Sequence, residues 1–295
     1  MGPVPATPLS PGTHTIEVGG VTQRYHVSGT GPVCLAHPGG PGIQWDYLRM
    51  PAVEQHLTMV YVEPIGTGAS GRLAAHPDGY TRERYAEALD ELIAHLGVPR
   101  VHLLGHSHGG FVAQRYALKH ADRLAGIILY ESAPLTGPEH FAEAAAGMER
   151  FAAAHAGAPG LPDVLDAWRS VPTISDDGAM TAVVQRLFPA YFADYWGREQ
   201  EFAAARTAVR GTYISGFDDR RDPILIDDRE VLGSITTPTL VIVGRHDFIC
   251  GPRWAGELHA GIPGSELLVL EDSGHFGHLE EPDAYARAVV GFVMS

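Results

Sequence analysis

Six short apolar runs, separated by longer stretches with helical patterning, constrain this chain more than any other feature. They occupy residues 33–36, 58–62, 101–104, 126–130, 239–243 and 266–270. Strands that are apolar throughout are buried on both faces, and joining parallel neighbours takes a crossover of a dozen residues or more. The pattern therefore predicts an α/β fold, a mostly parallel sheet with helices on both faces. Ahead of it, behind a Pro-rich leader over residues 1–12, segments 13–18 and 23–28 meet through Gly19-Gly20 and predict a hairpin, which brings the sheet to eight strands.

The alternation stops between Ser132 and about Leu232, where the chain becomes Ala-rich and aromatic, with helical periodicity over 140–155, 178–192 and 199–212. This divides the chain into a core, 1–133 with 232–295, and an inserted helical lid, 134–231. Leaving the core after one strand and returning before the next places the lid over the carboxyl edge of the sheet, where open α/β folds bind ligands.

The third apolar run leads into Gly105-His106-Ser107-His108-Gly109 and then into a helical segment. A serine on such a turn is strained, its hydroxyl projects above the sheet edge, and the glycines are needed because a side chain beside the turn would collide with it. Serine is a poor nucleophile at neutral pH, so it requires a base and an orienting carboxylate. The last two runs supply both: 239–243 leads to Asp247 and 266–270 leads to His275. Taken singly, each is an ordinary turn residue; the order Ser107, Asp247, His275, each beyond a strand, points to nucleophilic catalysis. His246, His278, His106 and His108 compete as bases, but His278 falls in the next helix, and His106 and His108 flank the serine.

Acyl transfer also needs donors for a developing oxyanion. The His108 amide follows the nucleophile, and His37-Pro38-Gly39-Gly40-Pro41-Gly42 follows the first run; its prolines carry no N–H, which favours the amide of Gly40. No metal is expected, because His106-x-His108 and His275-x-x-His278 form no recognised ligand set. No cofactor is expected either: Gly66-Thr67-Gly68-Ala69-Ser70-Gly71 lacks the Lys-Ser/Thr ending of a phosphate loop.

A formal charge of −14 excludes nucleic acid as a partner, since phosphate binding needs clustered Lys and Arg. No apolar stretch has membrane-spanning length, and only Cys34 and Cys250 are present, without a CxxC pair. A soluble, cytoplasmic chain with a small-molecule substrate is expected, its oligomeric state open.

The residues around Ser107 resemble those of the α/β-hydrolase superfamily and, within it, the proline iminopeptidase group (prolyl aminopeptidases, peptidase family S33). His37-Pro38-Gly39-Gly40-Pro41-Gly42 is similar to that group's HGGPG element with an added proline; Gly105-His106-Ser107-His108-Gly109-Gly110 is similar to its serine elbow. The resemblance spans about 13–133 and 232–294. It implies cleavage of an amide after an N-terminal aminoacyl group, through a Ser107 acyl-enzyme, on a peptide-like substrate with a free amine. Such groups also include hydrolases of natural-product pathways. Where the group has Asp-Gln-Arg, this chain has Glu63-Pro64-Ile65, which argues against a standard prolyl enzyme. Family aminopeptidases hold the amine with carboxylates; Glu131, Asp194 and Glu199, with Trp196 in the same aromatic patch, are the residues expected to bind substrate here. An esterase or lactonase with the same triad is the alternative, and a non-catalytic ligand receptor on this fold the second.

Overall fold

The computed structural model describes residues 7–295; residues 1–6 of the Pro-rich leader lie outside the described residues. Eight strands, β1 (Gly12–Val18), β2 (Val21–Ser28), β3 (Val33–His37), β4 (Thr58–Glu63), β5 (Val101–His106), β6 (Leu124–Tyr130), β7 (Thr239–Gly244) and β8 (Glu266–Leu270), form one sheet. Its spatial order is β1-β2-β4-β3-β5-β6-β7-β8, with β1, β2 and β4 pairing antiparallel and every other pair parallel.

Among the described residues ten α-helices accompany the sheet: α1 (Pro51–Glu54), α2 (Arg82–Leu96), α3 (His108–Lys119), α4 (Pro138–Ala154), α5 (Leu161–Ser170), α6 (Asp177–Leu187), α7 (Glu199–Ala208), α8 (Pro252–Gly261), α9 (Gly277–Glu280) and α10 (Pro282–Met294). Side chains alternate across a strand, so each central strand feeds two cores. Leu103, Ile127 and Leu129 pack with Leu89, Val112 and Leu258 of α2, α3 and α8, whereas Leu104, Ile128 and Tyr130 pack with Val53, Tyr285 and Val289 of α1 and α10. This is why the runs are apolar at nearly every position.

Helices α4 to α7 all lie between β6 and β7. The insertion is pinched at its base: Leu135 bridges Asp227, Thr136 N–H donates to Ile226 O at 2.9 Å, and Asp228 N–H donates to Pro134 O at 2.9 Å. Above that neck, two apolar clusters fill the insertion. One gathers Met148, Phe151, Val164 and Leu187 against Phe248 of the loop after β7; the other gathers Phe188, Phe192, Tyr195 and Phe202 against Phe276 of the loop after β8. The insertion is thus seated on the two loops at the carboxyl ends of β7 and β8.

Candidate active site

Ser107 follows β5 and caps α3 with φ 53° and ψ −117°, a conformation that costs a non-glycine residue about 1–3 kcal/mol. Its neighbours hold it there: Ser107 N–H donates to Tyr130 O at 2.9 Å, and Ser107 O accepts from Gly110 N–H and from the Ser132 hydroxyl, each at 2.9 Å. The flanking glycines are enforced by backbone. A Cβ on Gly105 would lie 2.2 Å from Gly109 O, and one on Gly109 would lie 2.3 Å from His37 O.

Asp247 and His275, from the loops after β7 and β8, meet with His275 Nδ1 2.7 Å from Asp247 Oδ2. Asp247 Oδ1 accepts from Ile249 N–H at 2.8 Å and Cys250 N–H at 3.1 Å. Burial pushes the Asp247 carboxyl up, but the charge and hydrogen bond of His275, with further hydrogen bonds, outweigh it and hold the group below its ordinary range. The pair is sealed, Asp247 at 4% and His275 at 4% exposure. His275 N–H also donates to Tyr191 O at 2.7 Å, which ties the histidine loop to the insertion.

A chain of hydrogen bonds links this pair to the glycine loop after β3. Gly39 N–H donates to the Tyr47 hydroxyl at 2.7 Å, that oxygen lies 2.7 Å from His106 Nδ1, and His106 Nε2 lies 3.0 Å from His275 O. A carbonyl only accepts, so the His106 proton sits on Nε2, and the Tyr47 hydroxyl donates to Nδ1. Burial, then the nearby charges of His275 and His278, hold His106 neutral, well below its ordinary value. With the Gly39 amide committed to Tyr47 and prolines at 38 and 41, the loop presents the Gly40 amide. The His108 amide opens α3, where no intrahelical acceptor exists. Among the described residues neither amide donates to another protein group.

Ser107 and His275 border one cavity of about 120 Å³, with Gly39, Gly40, Tyr47 and His106 below. Ile43, Met180, Val184, Tyr191, Val209, Ile249 and Phe276 complete its wall, and no Asp or Glu is among the lining residues. Asp247, Cys250 and His275 offer possible metal-donor atoms within 4.8 Å of one another. They fit a resident ion poorly: Asp247 and His275 already bond each other, and burial, followed by the charge of Asp247, pushes the Cys250 thiol well up and keeps it protonated. The Gly66-to-Gly71 segment is likewise occupied, its Ala69 N–H and Ser70 hydroxyl bonding Glu63.

None of the four residues expected to hold the substrate lines this cavity; each packs elsewhere. Glu131 is 0% exposed, takes the Gly244 N–H at 2.8 Å, and lies behind Asp247. Asp194 points outward and accepts from Gly197 N–H at 2.9 Å. Trp196 is spent on packing, its ring 5.3 Å from His155 and 5.8 Å from Phe151. Glu199 is exposed in the first turn of α7, beside a shallow groove bordered by Tyr195 and Arg206. Sequence reasoning missed Tyr47, Tyr191 and Glu280, which hold the loops together; nothing in their local sequence marks them.

The sequence model of the α/β-hydrolase fold matches residues 32–282. Among curated proteins, the chain is 28% identical to a proline iminopeptidase of Saccharolobus solfataricus, over 92% of this chain and 87% of that one. It is also 28% identical to a 2-hydroxy-6-oxononadienedioate/2-hydroxy-6-oxononatrienedioate hydrolase of Klebsiella pneumoniae subsp. pneumoniae, over 94% and 93%. A hydrolase structure from Pseudomonas aeruginosa superposes with a TM-score of 0.70 at 27% identity, covering 96% of this chain and 98% of that one.

Proposed function

From the premise that the chain belongs to the α/β-hydrolase fold family, we propose that it is a serine hydrolase that cleaves esters or lactones with a compact, uncharged acyl group. Ser107 Oγ attacks the carbonyl while its proton passes to His275 Nε2, and Asp247 stabilises the imidazolium so formed. The Gly40 and His108 amides receive the negative oxygen. Collapse of the tetrahedral species returns the proton to the leaving alkoxide, and a water activated by His275 then releases the acid and restores the Ser107 hydroxyl.

The cavity carries the choice of substrate. An aminoacyl substrate places its ammonium two bonds from the scissile carbon, so that charge must enter the space beside Ser107. The space is lined mostly by apolar and aromatic side chains and by no acid, and an ion moved from water without a charged partner loses several kcal/mol. Its volume of about 120 Å³ is small beside an ordinary ligand cleft, which suits a small acyl group.

Aminoacyl amide hydrolysis is the second reading, favoured by the loop from His37 to Gly42 and by the relative named proline iminopeptidase. Methyl cyclopentanecarboxylate and proline methyl ester separate the two, because they share ring and leaving group and differ in the amine. The expected outcome is a kcat/KM at least about tenfold higher for the amine-free ester, since tenfold needs only about 1.4 kcal/mol of the lost solvation. A preference for the proline ester would overturn the first reading in favour of the second.

A further inference from the structure

Glu131 is a buried carboxyl beside the catalytic aspartate that the reaction just described does not use. It sits directly after β6 with φ 47°, a left-handed conformation uncommon for a glutamate, and is 0% exposed. Its Oε1 accepts the Gly244 N–H at 2.8 Å, so its place is fixed by the strand that leads to Asp247. Its Oε2 is buried with no protein donor, and the Glu131 and Asp247 carboxyl groups are in side-chain hydrogen-bonding contact. Two buried carboxylates at that range repel unless one holds a proton. The Asp247 oxygens already accept from His275, Ile249 and Cys250, all of which favour a charged Asp247.

We propose that Glu131 is a positioning residue that stays protonated at neutral pH and donates its Oε2–H to the Asp247 carboxylate, fixing the acceptor that orients His275. One proton then accounts for both anomalies, the undonated Oε2 and the close approach of two acids. Burial, then the Asp247 charge and hydrogen bond, place Glu131 well above the ordinary carboxyl range. The other titratable groups bearing on it are Glu280, Cys250, Tyr130 and Tyr285. Burial pushes all four up, toward their protonated forms.

The inference rests on the serine-hydrolase reading, and two variants with a spectroscopic measurement test it separately. Glu131→Gln keeps an oxygen for Gly244 N–H and an N–H for Asp247, whereas Glu131→Met keeps the bulk and removes both. The expected result is a kcat for Glu131→Met lower by about tenfold to a hundredfold with KM little changed, and an acid limb of the kcat/KM profile moved to higher pH. That shift follows because an Asp247 stripped of a donor binds protons more readily. Glu131→Gln should recover most of the rate and the original acid limb. A Glu131→Gln enzyme as impaired as Glu131→Met, or a Glu131→Met enzyme with the native rate and profile, overturns the proposal.

The infrared difference spectrum of wild type minus Glu131→Gln at neutral pH should carry a protonated-carboxyl C=O band, and a carboxylate band in its place overturns the proposal even if Glu131→Met does not fold. A protonated-carboxyl band in a protein whose Ser107 fails to react with a fluorophosphonate would uphold the shared proton and sink the hydrolase reading instead.

Discussion

Tyr47 performs no chemistry in this account, yet it fixes the position of three loops. Its hydroxyl is the acceptor for Gly39 N–H and the partner of His106 Nδ1, and its carbonyl lies 2.9 Å from His278 Nε2. Tyr47→Phe removes one atom and leaves a buried donor and a buried acceptor unpaired, which costs about 1–3 kcal/mol per group. Urea unfolding should therefore show a loss of about 2 kcal/mol or more, and kcat should fall about tenfold as the glycine loop relaxes away from Ser107. A stable variant with native kcat would remove Tyr47 from the site.

The contrast with Ser107, Asp247 and His275 shows what a sequence displays at this scale. Those three stand one, three and five residues beyond strand ends, so the strand pattern finds them. Tyr47 and His106 are 59 residues apart in sequence, and no local rule joins them. Glu131 was visible as a strand-end acid, but its burial against Asp247, away from the cavity, depends on the packing of β6 beside β7, which its sequence context does not show.

At the scale of elements, the strand-to-helix turn is the most demanding piece. Ala at 109 would set a methyl 2.3 Å from His37 O, an atom of the paired backbone of β3 that cannot move alone. Gly109→Ala should thus lower the melting midpoint by an amount equivalent to about 3 kcal/mol or more, or yield no folded protein; a native midpoint would contradict the close approach. All eight strands were legible, with ends within a residue or two, because burial on both faces writes near-continuous apolar runs in the central strands and the Gly19-Gly20 turn marks the hairpin of β1 and β2.

The inserted helices were less so. The segment 178–192 reads as one helix but ends as α6 at Leu187 and continues as a 3-10 turn over Phe188–Tyr191, where Pro189 cannot donate an α-helical bond. Helix α7 stops at Ala208, short of the expected 212, because Ile43 bridges Gly211 and draws the chain out. Helix α5 escaped notice because Gly157, Pro159, Gly160 and Pro162 crowd its start and read as loop.

For the molecule as a whole, the fit of the insertion on the sheet passes through Glu280. Its carboxylate accepts from Ala193 N–H at 2.9 Å on the insertion and from Gly274 N–H at 2.6 Å beside His275. Burial raises its pKa to about 7, against the opposing pull of those backbone donors. A carboxyl raised on folding binds more protons folded than unfolded, so its contribution to stability is complete below about 4.5 and is lost as pH climbs through about 7. Unfolding free energies of wild type minus Glu280→Gln should decline across that interval, by no more than about 1.4 kcal/mol per pH unit, and level off above it. A difference that is flat or rises with pH would contradict the assignment. No helix among the described residues is long and apolar enough to cross a membrane.

The central claim is that Ser107 is the nucleophile made reactive by His275 and Asp247. Incubation of the folded protein with a fluorophosphonate, followed by peptide mass spectrometry, tests it most directly. The account predicts a single adduct on Ser107 that forms far more slowly in His275→Ala, and a folded protein left unmodified, or modified at another residue, would contradict it.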